Sequence, residues 1–132
     1  MTSVGQLAGW WRRVGATLID IIILAVVDII IAIATDRIIE YVLGFIIGLV
    51  YTTVLLVRRG QTVGMMALGT RCVRDGTQTN ITVGPAVARY VITEILGITV
   101  IGGLLDILWP LWDSKNQTIH DKVAHSLVVR TN

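Results

Sequence analysis

Two aspartates, Asp20 and Asp28, lie inside one of the most apolar stretches of this chain. Gly15 to Thr35 reads GATLIDIIILAVVDIIIAIAT, about as long as the roughly 20 apolar residues needed to cross a bilayer. A carboxylate near the middle of a membrane helix costs on the order of 3 kcal/mol. Two of them in one span must face protein, water or an ion rather than lipid. Arg12 and Arg13 stand immediately before the span. Arg13 precedes Asp20 by nearly two helical turns, so the two share a face, and Asp28 lies about 80° further round. The segment reads as a membrane helix with one charged stripe.

The rest of the composition agrees. Of 132 residues, 54% are hydrophobic, and the mean hydropathy of +0.75 is too high for an ordinary soluble domain. One polytopic membrane domain, residues 10–132 behind a loose tail of residues 1–9, is the natural division. The net charge of +2 comes without a basic run, which fits cytoplasmic loops and not a nucleic-acid surface. A single cysteine, Cys72, allows no intrachain disulfide and no CxxC metal pair. Arg12-Arg13 before an apolar run, with Ala32-Ile33-Ala34 behind it, resembles a secretory signal. The run is too long for a signal core and carries two aspartates, so an uncleaved anchor is expected.

Trp10 and Trp11 beside the arginines mark an interfacial start. The first helix is expected over about residues 13–35. Asp36-Arg37 is too short a link for anything but an antiparallel return, so the second helix runs from Ile38 to Val57 and stops at Arg58-Arg59-Gly60. Gly44, Gly48 and Thr52 recur every four residues along it and form a small-residue seam for close helix packing. Residues 58–85 form a polar insertion. A short amphipathic piece, Met65 to Gly69, comes first. The Asp75-Gly76 turn pair then predicts a hairpin between Thr70–Val73 and Asn80–Val83. A third apolar segment runs from Gly84 to Trp112. Its centre, Leu96-Gly97-Ile98-Thr99-Val100-Ile101-Gly102-Gly103, is a weak helix and a natural break.

Topology puts two constraints on that third segment. Arginines and lysines cluster before the first helix, in the polar insertion and in the tail, which places all three in the cytoplasm. Three full spans would put the tail outside, and the segment is too short for two spans of about 20 residues each. It either crosses once, against the charge rule, or re-enters as a hairpin bent at residues 97–103, which meets both constraints. Such backbone needs cover by protein or water. The expected fold class is an all-α membrane protein. It has two antiparallel transmembrane helices, a third segment spanning or re-entrant, and a small cytoplasmic insertion.

Four motifs taken in order resemble the RDD family of small membrane proteins. Arg13-Val14-Gly15-Ala16-Thr17-Leu18-Ile19-Asp20 resembles its first-helix signature, and Gly60-Gln61-Thr62-Val63-Gly64 with Leu68-Gly69-Thr70-Arg71-Cys72-Val73 its central motif. Ala88-Arg89-Tyr90 resembles its third-segment arginine. Ile119-His120-Asp121-Lys122-Val123-Ala124 resembles its closing motif. Met65 stands where the family usually has lysine, and His125-Ser126 where it usually has Gly-Thr. The resemblance implies a multi-pass protein of the cell membrane and, from a suggestion made for some relatives, cation/proton exchange.

Inside the apolar stretches the acids Asp20, Asp28, Glu94 and Asp106 outnumber the bases Arg13 and Arg89. Carboxylates without a cationic partner hold a proton, hold a cation or reach water. Asp20, Asp28 and Glu94 are therefore the candidate ion or proton site. Arg13, Asp20, Arg89 and Asp121 form a candidate structural charge cluster, and Asp28, with no evident partner, suits either role. Asp121 and His125 share a helix face, but His120 points elsewhere, so a capping or salt-bridge role is preferred to a metal. No catalytic or cofactor motif appears, so neither an enzyme nor a cofactor is expected. Two function classes follow. One is an oligomeric monovalent cation/proton transporter. The other is an accessory subunit that docks on a larger membrane complex through the Gly44/Gly48 seam.

Overall fold

The computed structural model describes residues 6–131. Helix α1 spans Trp10–Ala34 and α2 spans Arg37–Arg59, both long and apolar enough to cross a membrane. Asp36 starts α2 by accepting a hydrogen bond from the Ile39 amide at 3.0 Å. Gly60 ends it in the left-handed conformation, at φ 70°, while Arg58 and Arg59 oppose the negative end of the helix dipole. With only Thr35 and Asp36 between them, the helices are antiparallel. Their outer faces stay bare: Ile22, Ile29, Ile30, Ile33, Ile38, Val42 and Ile46 are all exposed. An apolar surface of that extent is what lipid requires.

The chain then folds back over one end of this pair. A short helix α3, Val63–Leu68, is capped by Thr62 and leads through Gly69, at φ 67°, into strand β1, Thr70–Arg74. After the third segment, a second short helix, α6, Ile119–Val123, precedes strand β2, Ser126–Arg130. The strands pair antiparallel, Thr70 opposite Arg130 and Arg74 opposite Ser126. On the other side of β2, Leu7 bridges Val129, and the Ala8 amide bonds the Val128 carbonyl at 2.9 Å. Of the tail expected to be loose, residues 1–5 lie outside the described residues, while Leu7 and Ala8 pack against β2. The buried core is small and sits at this end: Leu56, Cys72, Ile81 and Ala86 in one group, Val73, Leu127 and Val129 in another.

This sheet corrects two expectations. The molecule is mostly helical but not all-α, and β1 pairs with the tail instead of with residues 80–83. The turn at Asp75-Gly76 exists, with Gly76 at φ 82°. The chain beyond it is used otherwise. Asn80 accepts from Arg71 Nη2 at 2.7 Å and donates to the Val57 carbonyl at 3.1 Å. Ile81 enters the core beside Leu56. Ser126 to Val129 win the pairing because they are buried without a break, which a five-residue strand between two neighbours can satisfy.

The third apolar segment breaks where its glycines and β-branched residues predict. Helix α4 covers Val83–Gly97 and α5 covers Val100–Leu108, followed by a 3-10 turn at Trp109–Leu111. Thr99 is extended, and its hydroxyl caps α5 at the Gly102 amide, 3.0 Å away. The chain turns back here: Trp10 Nε1, at the start of α1, donates to the Ile107 carbonyl at 2.8 Å. The base of the α4–α5 hairpin thus lies at the same end of α1 as the sheet.

Helix α3 approaches α1 so closely that a Cβ on Gly64 would run into the Ala16 carbonyl oxygen. Gly64→Ala should destabilise the protein by about 1–3 kcal/mol, as overpacking does. Thermal unfolding in detergent checks this. Gly84→Ala, where a Cβ meets nothing within 4 Å, is the control and should be silent.

Candidate functional site

Three polar clusters lie one behind another at the sheet end of the helices, and a fourth group lies deeper. The first centres on Asp121, whose side chain is fully buried. The capping box at the start of α6 orients it: Thr118 Oγ accepts from the Asp121 amide, and the Asp121 carboxylate accepts from the Thr118 amide, each at 3.2 Å. Arg13 of α1 reaches it with Nη2 at 2.6 Å, and Arg89 of α4 reaches it with Nη1. Arg89 Nη1 also donates to Ser126 Oγ at 2.7 Å. Burial pushes the Asp121 carboxyl up, but the two guanidiniums outweigh it and hold the group well below the usual carboxylate range.

The second cluster is a cradle for Asp20. Its Oδ1 accepts from Tyr51 Oη at 2.7 Å and from the Gly64 amide at 2.9 Å, and its Oδ2 accepts from Thr62 Oγ at 2.6 Å. The Gly60-Gln61-Thr62-Val63-Gly64 motif explains itself here. Gly60 ends α2, Thr62 caps α3 and donates to the carboxylate, and Gly64 lets its own backbone approach. Asp20, expected to share a clamp with Arg13, takes neutral donors instead. The two are about 10 Å apart along one helix, so each finds its partners at its own height.

The third cluster joins α5 to α6. Asp106 Oδ2 lies 2.7 Å from His120 Nδ1, and its Oδ1 accepts from the His120 amide at 3.1 Å. His120 Nε2 stands 3.8 Å from Asp121 Oδ1. Sequence reasoning counted Asp106 among the acids and gave His120 a salt-bridge or capping role without joining the two. It missed Tyr51 and Thr62 altogether. A hydroxyl inside an apolar span and a threonine ahead of a short helix were the available signals.

The deeper group consists of Asp28, Glu94 and Tyr90. Asp28 Oδ1 occupies the space that a Cβ on Gly44 would need, 2.7 Å away. Tyr90 fills the notch at Gly48 and donates to the Phe45 carbonyl at 3.1 Å. Asp28 and Glu94 are within electrostatic reach of each other and of Tyr90. Among the described residues, neither carboxylate has a hydrogen bond or an ion pair. Thus Gly44 and Gly48 of the seam receive α1 and α4 of the same chain, and Thr52 is half-buried. Among the described residues no group of three or more His, Cys, Asp or Glu is placed to hold a metal ion.

Residues 7–125 match the model of the RDD family. The chain belongs to the RDD family. The match takes in both arginines and all the acids of these clusters. No curated protein and no solved structure matches this member.

Replacing Asp121 with asparagine leaves two buried guanidiniums facing no anion. Loss of one partner of such a pair costs about 3–5 kcal/mol, so Asp121→Asn should unfold at markedly lower temperature at pH 7. The folded carboxyl titrates below its unfolded value, so its contribution is complete above about pH 5 and is lost as the pH falls through the folded value. The gap between wild type and Asp121→Asn in thermal melts should therefore hold down to about pH 5 and narrow progressively below it.

Proposed function

We propose that this RDD-family protein is a small cation/proton exchanger of the cell membrane, working as a homo-oligomer, with Asp28 and Glu94 as its switching carboxylates. The observation that carries this reading is the contrast between the acids. Asp20, Asp106 and Asp121 are each tied by hydrogen bonds or arginines. Asp28 and Glu94 sit deeper, close to each other, with no such tie among the described residues. Carboxylates in a poorly hydrated place hold either a proton or a cation, and exchanging one for the other couples the two fluxes. Carboxylate oxygens are hard ligands suited to sodium or potassium. Two long helices and one hairpin enclose too little for a pathway alone, hence the oligomer.

The accessory-subunit alternative relied on the Gly44/Gly48 seam as a docking surface. Asp28 and Tyr90 of the same chain occupy that seam, which favours exchange. The membrane placement we propose sets the sheet end in the cytoplasm and makes α4–α5 re-entrant. Arg12, Arg58, Arg59, Arg71, Arg74, Lys115, Lys122 and Arg130 gather at that end, whereas the other end of α1 and α2 has Arg37 beside Asp36 and Glu40.

Two measurements test these readings. In proteoliposomes, a sodium or potassium gradient should drive proton movement by the wild type. Asp28→Asn and Glu94→Gln should abolish it while melting at the wild-type temperature, because an amide keeps the shape and loses the titration. No exchange by the wild type overturns the transport reading. For topology, Arg130→Cys in a Cys72→Ser background should label from the cytoplasmic side only. Labelling from the opposite side excludes the re-entrant hairpin.

A further inference from the structure

A cavity of about 260 Å³ separates α1 from the α4–α5 hairpin. Val14, Leu18 and Ile21 of α1 face Ile107, Gly103 and Gly97 across it. The walls are mainly apolar, and one end is polar, formed by Arg13, Asp106, Thr118 and His120. We propose that this cavity binds a neutral glycerolipid, with its ester carbonyl and free hydroxyl at the polar end and one acyl chain along Leu18 and Ile21. The inference is independent of cation exchange.

Two atoms at the polar end are unspent. The Arg13 side chain is 9% exposed, and while Nη2 is taken by Asp121, its Nη1 is buried with no hydrogen-bond acceptor among the described residues. His120 gives Nδ1 to Asp106, and Nε2 makes no hydrogen bond at 3.8 Å from Asp121. An anionic Asp106 accepts from Nδ1–H, and Nε2 accepts from a ligand when the ring is neutral and donates to one when it is protonated. The cavity thus offers the Arg13 donor and the His120 Nε2 on either side of the Asp121 carboxylate, and a hydroxyl can complement Nε2 in either protonation state. A carbonyl and a hydroxyl complement them.

Charge selects a neutral ligand. Arg13 and Arg89 oppose Asp20, Asp106 and Asp121 around this space. With His120 protonated the set is balanced; with His120 neutral it already carries one excess negative charge. A phosphate or fatty carboxylate would add another in a poorly hydrated place. Depth points to a glycerol ester. Arg13 is one turn beyond Trp10, and Trp10, Trp11, Trp109 and Trp112 gather at this end as an interfacial belt does. Ester carbonyls of a bilayer lie at that level.

The experiment uses the full chain in phosphatidylcholine nanodiscs and a diacylglycerol probe with a diazirine on one acyl chain. Cross-links mapped by mass spectrometry should fall on residues 14–21 and 103–107. Excess unlabelled diacylglycerol should displace them, and phosphatidic acid should not. Thr17→Phe and Gly103→Leu fill the cavity from opposite walls. Among the described residues the Thr17 side chain makes no hydrogen bond, and a Cβ at Gly103 meets its nearest neighbour at 3.8 Å. At least one of the two should keep the wild-type melting temperature and lose labelling by about tenfold or more. Labelling spread over the outer faces of α1 and α2, labelling unchanged in a folded cavity-filled variant, equal displacement by phosphatidic acid, or no site-specific label would each overturn the proposal.

Discussion

One buried carboxylate fixes the relation between the first helix, the hairpin and the tail of this molecule. Asp121 draws Arg13 from the first helix and Arg89 from the hairpin, and Arg89 also holds Ser126 at the start of the second strand. Burying three charges is unfavourable unless their geometry and remaining hydrogen bonds are nearly complete. The capping box of α6 contributes to this by orienting the carboxylate toward both arginines. The energy of the trio is thus inseparable from its position. A shift of α4 along α1 by one turn would strand a guanidinium in an apolar site, so the trio specifies register more than it adds net stability.

Asp20 does a comparable job with different chemistry. Its three donors come from α2, from the cap of α3 and from the backbone of α3. No cation is needed, because three short hydrogen bonds satisfy the carboxylate oxygens. The two anchors divide the work: Asp121 locks α1 to the hairpin and the tail, and Asp20 locks α1 to α2 and the insertion. Both lie near the sheet end. The soluble-looking core of Leu56, Cys72, Ile81 and Ala86 lies there too, and its burial pushes the Cys72 thiol up. The opposite half of the helices has little except lipid-facing side chains to hold it.

What the sequence discloses follows the size of the penalty involved. Charges that open or close apolar elements are costly, so Arg13, Asp20, Arg89 and Asp121 could be picked out as one group before any coordinates; the structure joins Arg13 and Arg89 to Asp121 and gives Asp20 other partners. The break at residues 97–103 was legible because glycines and β-branched residues weaken a helix regardless of context. The strand pairing was not. Asp75-Gly76 is a real turn, but a turn says only that the chain reverses, and the reversal here feeds α4. The partner of β1 lies more than fifty residues away and is chosen by burial on both faces, which no local pattern encodes. The partners of Asp20 were hidden for another reason. Hydroxyls and backbone amides bear no charge to mark them, so the gap of about 10 Å between Arg13 and Asp20 is expected from sequence to be filled by a partner from the third segment or the tail, and not by Tyr51, Thr62 and the Gly64 amide.

The anchors also restrict how the hairpin can move. Its base is held twice, by Arg89 at Asp121 and by Asp106 at His120, and Trp10 closes α5 against α1. Its tip, with Ile98, Val100 and Ile101 exposed, has no comparable tie. Between base and tip, Tyr90 seats in the Gly48 notch with a single hydrogen bond to the Phe45 carbonyl. A hairpin held at its base and exposed at its tip is expected to move by pivoting, and a pivot that carries Glu94 away from Asp28 would draw Tyr90 from that notch. A hydroxyl leaving a carbonyl and a shallow glycine groove is a small loss beside that of parting Asp121 from an arginine. The weak contact is therefore the one expected to yield, with the cluster at the base kept whole, in any motion that parts the two deep carboxylates.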